Sequence, residues 1–176
     1  MEYITLVNEK DEVIGKIEKM KAHIDGVLHR AFSIIIINDN NEMLIHKRNI
    51  NKYHSGGLWT NACCSHPNYS ENLSDSIHRR LKEEMGFDCD LKEIFKFKYI
   101  TEFGDGLIEN EYDHVFIGRY NSNNISPNQN EVEDYKWIKL ETLLNDIEDN
   151  DDNYTYWFKI IMEEVGKRKI NIFEVI

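Results

Sequence analysis

The sequence contains no run of about 18 apolar residues, the least a membrane-spanning helix needs. Its longest aliphatic stretch, Ile34 to Ile37, is long enough only for a strand. The N-terminus lacks the basic-then-apolar pattern of a secretory signal, so a cytoplasmic protein is the expectation. Cysteine is scarce. Three residues, two of them adjacent as Cys63-Cys64, cannot build a disulfide framework and suit a reducing compartment, so any that matters should matter as a thiol. An excess of base is also missing: Lys+Arg 21 against Asp+Glu 32 leaves a net charge of −11 at pH 7. Such a field repels nucleic acid and anionic membrane, and neither is expected as a partner. It equally repels an anionic metabolite, so a phosphate-bearing substrate requires local cations that reverse it. No internal repeat and no interdomain linker are visible.

What is present suffices for a core. A chain of 176 residues, 41% hydrophobic and 11% aromatic, has the size of one compact domain spanning 1–176 with one site. Tyr3 to Val7 and Val13 to Glu18 read as a hairpin around Asn8 to Glu12. Phe32 to Ile37 and Met43 to Lys47 form a second hairpin, and Trp59 to Cys64 reads as one strand that ends before Pro67. Leu73, Ile77 and Leu81 recur four apart, a helical stripe closed by Gly86. Lys92 to Thr101, Leu107 to Tyr120 and Val132 to Ile138 are extended. Leu140 to Ile147 and Tyr154 to Val165 are helical, separated by the acidic run Glu148 to Asp152, read as a solvated loop. The tail Ile170 to Ile176 is apolar enough to pack.

Two charges interrupt the core-facing stripe of the helix that begins at Leu73. At about 100° per residue, Arg80 and Glu84 continue the line of Leu73. They form either a simple i,i+4 ion pair or the edge of a polar site. Side chains at i and i+2 of a strand share a face, so Glu109 pairs with Glu111 and Cys64 with His66. Taken singly, such pairs are more often a solvated Glu pair and a small buried cysteine. Together, His23, His29, His66, Glu109 and Glu111 offer three imidazoles and two carboxylates, a mixed set that suits Mn2+, Mg2+ or Zn2+. His114 faces the other side of its strand. His46, His54 and His78 have no evident partner and are expected at the surface.

The residues Glu71, Arg79, Leu81, Glu83-Glu84, Gly86 and Phe87 resemble the Nudix box, G-x5-E-x7-R-E-U-x-E-E-x-G-U, with Ser65 in place of Gly and Arg80 in place of Glu. From its start to Phe158 the chain resembles the type I isopentenyl-diphosphate isomerases, a Nudix branch with a modified box. The resemblance is carried by EKMKAH with His29, Lys47-Arg48, Lys52, WTNACCSHP, RRLKEEMG, Tyr99, ENEYDHVF and YTYWFK. It implies an α/β (α+β) fold, a Nudix-like α/β/α sandwich with a mixed, largely antiparallel central sheet. It implies an isomerase of isoprenoid biosynthesis that interconverts isopentenyl and dimethylallyl diphosphate by proton addition and removal. By position, Cys64 and Glu111 become the acid/base pair, with Tyr99 supporting proton transfer. His23, His29, His66, Glu109 and Glu111 become ligands of a first divalent metal, Mn2+, Mg2+ or Zn2+. Glu84 holds a Mg2+ that arrives with the diphosphate. Lys19, Arg48, Lys52 and Arg80 contact the phosphates, supplying the reversal of charge demanded above, and Trp157 walls the hydrocarbon pocket. The partner is this small molecule, with neither nucleic acid nor membrane; the oligomeric state is left open, a monomer being the simplest form. The competing expectation is a Nudix hydrolase of a nucleoside or isoprenoid diphosphate, favoured by Glu83-Glu84 and opposed by Arg80. A metal or metabolite binder without catalysis is the third.

Overall fold

Ile34 to Ile37 are all excluded from solvent, odd and even positions alike, so the strand that carries them is covered on both faces. Each such side chain removed from water contributes roughly 1.5–3 kcal/mol. A computed structural model, which describes residues 2–176, shows the covering layers. The strands are β1 (Tyr3–Val7), β2 (Val13–Glu18), β3 (His29–Ile37), β4 (Glu42–Arg48), β5 (Trp59–Asn61), β6 (Cys63–Ser65), β7 (Leu91–Glu102), β8 (Ile108–Arg119) and β9 (Val132–Lys139). The helices are α1 (Lys19–Asp25), α2 (Leu73–Met85), α3 (Leu140–Asp149) and α4 (Tyr156–Lys167).

The central strand β3 runs parallel to β8 along its whole length, His29 opposite Glu111 and Ile37 opposite Arg119. Its other neighbours, β1, β4 and β6, are antiparallel, as are β7 with β8 and β9 with β4. The sheet is therefore mixed and largely antiparallel, with helices on both sides. Ile34 and Ile36 pack with Ile77, Leu81 and Met85 of α2; Ile35 and Ile37 pack with Trp157, Phe158 and Ile161 of α4. The tail joins the second layer through Ile172 and Phe173, and Arg119 donates to the carbonyls of Phe173 and Ile176. Among the described residues, no helix is long and apolar enough to cross a membrane.

The stripe on α2 ends where expected. Gly86 has φ 78°, and a Cβ there would lie 2.3 Å from the Ser126 carbonyl oxygen, so glycine is required. Two expectations are corrected and one element is added. The stretch Trp59 to Cys64 is two short strands, because the Asn61 side-chain amide donates to the carbonyls of Ile34 and Cys63 and breaks the ladder. The acidic run is not a plain loop: α3 continues to Asp149 and a 3-10 turn covers Asp151–Asn153. And α1 was not anticipated. The Glu18 side chain caps it by accepting from the amides of Met20 and Lys21, and Gly26 at φ 63° ends it.

Candidate active site

Four elements deliver the imidazole and carboxylate set to one point: α1 brings His23, the first residue of β3 is His29, the segment after β6 carries His66, and β8 presents Glu109 and Glu111. All five are buried. The donor atoms of His23, His29, His66 and Glu111 lie within 4.8 Å of one another. Those of His23, Glu109 and His54 form a second such group. His54, expected at the surface, is thus buried within the site, and His46 is buried too, its Nδ1 3.2 Å from the Ala62 carbonyl oxygen. His78 is half-buried beside Asp88, and His114 lies against Asp11 and Glu93 on the opposite face.

The cluster has the chemistry of a metal site. Nδ1 of His23 and of His29 each sit 2.8 Å from a backbone carbonyl, of Lys19 and Val27 respectively, which fixes the hydrogen on Nδ1. Their Nε2 lone pairs are then free, and both atoms are buried without a hydrogen-bond partner. Such orphaned acceptors, converging beside carboxylates, fit a divalent cation. Burial lowers the His23 ring and pushes those of His54 and His66 down to about 3, so all three are neutral, as ligands must be.

Tyr99 on β7 places its hydroxyl 2.8 Å from Glu109 Oε2 and 2.6 Å from Glu111 Oε2. Burial, then the charge of Glu111, raises Glu109 well above the ordinary range. Burial would raise Glu111 as well, but the His29 and His66 imidazoles beside it, at 3.6 and 2.8 Å, outweigh it and hold Glu111 low. Two carboxylates of one strand face are thus shifted in opposite directions, because only Glu111 has a hydrogen-bonded imidazole partner.

Cys64 lines the same cavity as these carboxylates. Its thiol donates to Asn61 Oδ1 at 2.9 Å and accepts from the Trp157 indole at 2.9 Å. Burial pushes the thiol up to about 12, which keeps it protonated near neutrality. Adjacent side chains of β6 point to opposite faces, so Cys63 is turned to the α2 layer beside Glu84, while Cys64 looks into the cavity. Cys64, His66, Tyr99, Glu109, Glu111, Trp157 and Arg48 line that one cavity. The Arg48 guanidinium lies 5.1 Å from the centroid of the Trp157 ring.

The remaining cations fall into a second grouping. Lys52 pairs with Glu131, and Arg80 contacts Glu83 at 2.8 Å, Glu131 at 3.7 Å and the buried Glu84. The ion-pair reading of Arg80 and Glu84 is therefore realised, with Glu83 and Glu131 beside it. Lys19 pairs with Glu2 at 3.3 Å and lies 5.6 Å from the Tyr53 ring. Glu71 and Arg79 of the box form a two-pronged pair, both contacts 2.6 Å, that ties the preceding loop to α2.

Sequence reasoning missed His54, Glu131 and Asp113. For Asp113 the signal was available, since it continues the alternation of Glu109 and Glu111; it is buried, accepts from the Ser33 hydroxyl at 2.8 Å, and is raised by burial.

The comparisons with known proteins follow the same lines. The NUDIX domain family matches residues 27–158. The chain is 47% identical over 96% of its length to isopentenyl-diphosphate Delta-isomerase 2 of Photorhabdus laumondii, covering 95% of that protein. Against isopentenyl-diphosphate Delta-isomerase 2 of Aromatoleum aromaticum it is 44% identical, over 92% of this chain and 85% of the other. A MutT protein from Methanosarcina mazei superposes with a TM-score of 0.65 at 20% identity, over 81% of this chain and 95% of that one, a likeness of fold alone.

Proposed function

The chain belongs to the NUDIX domain family and, within it, to the isopentenyl-diphosphate Delta-isomerases, enzymes that interconvert isopentenyl and dimethylallyl diphosphate; on that premise we propose that Cys64 and Glu111 are its acid–base pair. Moving the double bond requires a proton added at the terminal methylene and another removed from C2, the carbon next to the one that bears the diphosphate. The two groups must therefore flank the substrate. Cys64 of β6 and Glu111 of β8 line one cavity from different strands, and this placement carries the reading. Tyr99, within hydrogen-bond distance of Glu111, passes or holds its proton.

His23, His29, His66, Glu109 and Glu111 would hold a divalent metal, Mn2+, Mg2+ or Zn2+. Bound there, it supplies positive charge that orients Glu111 and tunes its proton affinity. Glu84 would hold the Mg2+ that accompanies the diphosphate. Lys19, Arg48, Lys52 and Arg80 bind the phosphates; Lys19, Lys52 and Arg80 exchange their carboxylate partners for substrate oxygens, whereas Arg48 donates to the His54 carbonyl. Protonation leaves a tertiary carbocation; the Trp157 ring stabilises it by cation–π attraction and, buried at 3% exposure, helps exclude the water that would trap it. We place the enzyme in the cytoplasm as a single domain acting on this small molecule, with neither nucleic acid nor membrane as a partner.

The test uses the two neighbouring thiols. Cys64→Ala should abolish turnover while leaving diphosphate affinity near the wild-type value, and Cys63→Ala should be mild. Reversed effects in a steady-state assay sink the assignment.

A further inference from the structure

His54 belongs to no element with a readable pattern, yet it reaches the same point as the proposed ligands. Its Nε2 lies 3.1 Å from Glu109 Oε1 without an aligned hydrogen bond, and is buried with no other partner. The ring is held in place. It stacks on Phe103 with centroids 4.7 Å apart and an interplanar angle of 11°, and Tyr53 meets it edge-on at 4.4 Å. Its Nδ1 is 3.2 Å from the Ser55 hydroxyl, which leaves Nε2 as the atom aimed inward.

We propose that His54 is a further ligand of the metal centre, giving that centre a fourth imidazole. The inference rests on the reading that His23, His29, His66, Glu109 and Glu111 bind a divalent ion. The donors of His23, His54 and Glu109 form one group, and those of His23, His29, His66 and Glu111 another. These cannot be two ion sites. His23 is common to both, its Nδ1 is committed to the Lys19 carbonyl, and the single lone pair on Nε2 serves one ion at a time. The two groups are therefore two sides of one centre, into which a single ion draws the donors together. Four imidazoles and two carboxylates favour Co2+, Ni2+ or Zn2+ over Mg2+ more strongly than three imidazoles would.

The experiment titrates metal-free protein, without substrate, with Co2+, reading the visible d–d absorption, and measures Co2+ and Mg2+ affinity by competition with a chromogenic chelator. Wild type, His54→Ala, His54→Gln and His66→Ala are compared. The wild type should bind one Co2+. Both His54 variants should still bind one, at least ~10-fold more weakly, with an altered spectrum and a reduced preference for Co2+ over Mg2+. The glutamine variant keeps the packing volume, so a folding defect in the alanine variant does not decide the outcome. Unchanged affinity and spectrum in His54→Gln, with binding lost in His66→Ala, overturns the role of His54 alone. Two Co2+ in the wild type falling to one in the His54 variants also overturns it. No Co2+ bound by wild type overturns the metal centre itself.

Discussion

Arg80 offers the sharpest perturbation, because it occupies the position at which the Nudix box calls for glutamate. Its guanidinium lies on the inward side of α2 among Glu83, Glu84 and Glu131, and its side chain is 19% exposed. If it binds the diphosphate, the charge-assisted hydrogen bonds lost in Arg80→Ala are worth roughly 1.5–3 kcal/mol. That corresponds to a rise of about 10- to 150-fold in KM for isopentenyl diphosphate and in Kd for inorganic pyrophosphate. Three carboxylates without their cation add repulsion toward the diphosphate and place the effect toward the upper end. Removing one partner of the buried pair with Glu84 also costs about 3–5 kcal/mol of folding stability, so activity is normalised to folded protein. Arg80→Lys keeps the charge and loses the two-pronged geometry, and should fall between. Arg80→Glu should lose isomerisation and release no phosphate. A KM within twofold of wild type for folded Arg80→Ala refutes the assignment, and phosphate release by Arg80→Glu revives the hydrolase alternative.

A chelator should remove activity, restored by adding divalent metal, and His66→Ala should lower metal content by elemental analysis; full occupancy in that variant excludes His66 from the ligands. His46 predicts an acid sensitivity independent of turnover. Burial holds its ring at about 3 against an ordinary 6.5, so the unfolded chain binds the proton first. Its contribution is complete above pH 6.5 and is lost as pH falls toward 3, which amounts to about 2 kcal/mol between pH 7 and 5. Urea unfolding of metal-free wild type and His46→Gln at both pH values reads the difference; equal pH dependence contradicts it.

Period was the readable signal. Alternation on β8 aligned Glu109 with Glu111, and the stripe on α2 turned Arg80 and Glu84 inward, so much of the site could be assembled before the fold was seen. Where a residue depends on a turn instead, the sequence was silent. His54 precedes Ser55 at φ 52° and Gly56, whose Cβ would lie 2.4 Å from the Ile50 carbonyl oxygen; that close approach turns the loop back, and no spacing reports it. α1 escaped because its seven residues bury Ala22 and His23, leaving no apolar stripe. That helix and its Gly26 turn also bring the His23 and His29 rings to 5.0 Å despite their short separation in the chain. Glu131 lies in a polar loop whose meaning comes only from Lys52 and Arg80 facing it.

Proton addition to the alkene is the central claim, and solvent deuterium tests it most directly. Wild-type protein incubated with isopentenyl diphosphate in deuterated water should yield dimethylallyl diphosphate carrying deuterium in a methyl group, because the proton passed to the terminal methylene comes from a protein acid that exchanges with solvent. Cys64→Ala should form neither product nor label. Unlabelled dimethylallyl diphosphate from the wild type, or released phosphate with no isomer, would contradict the account.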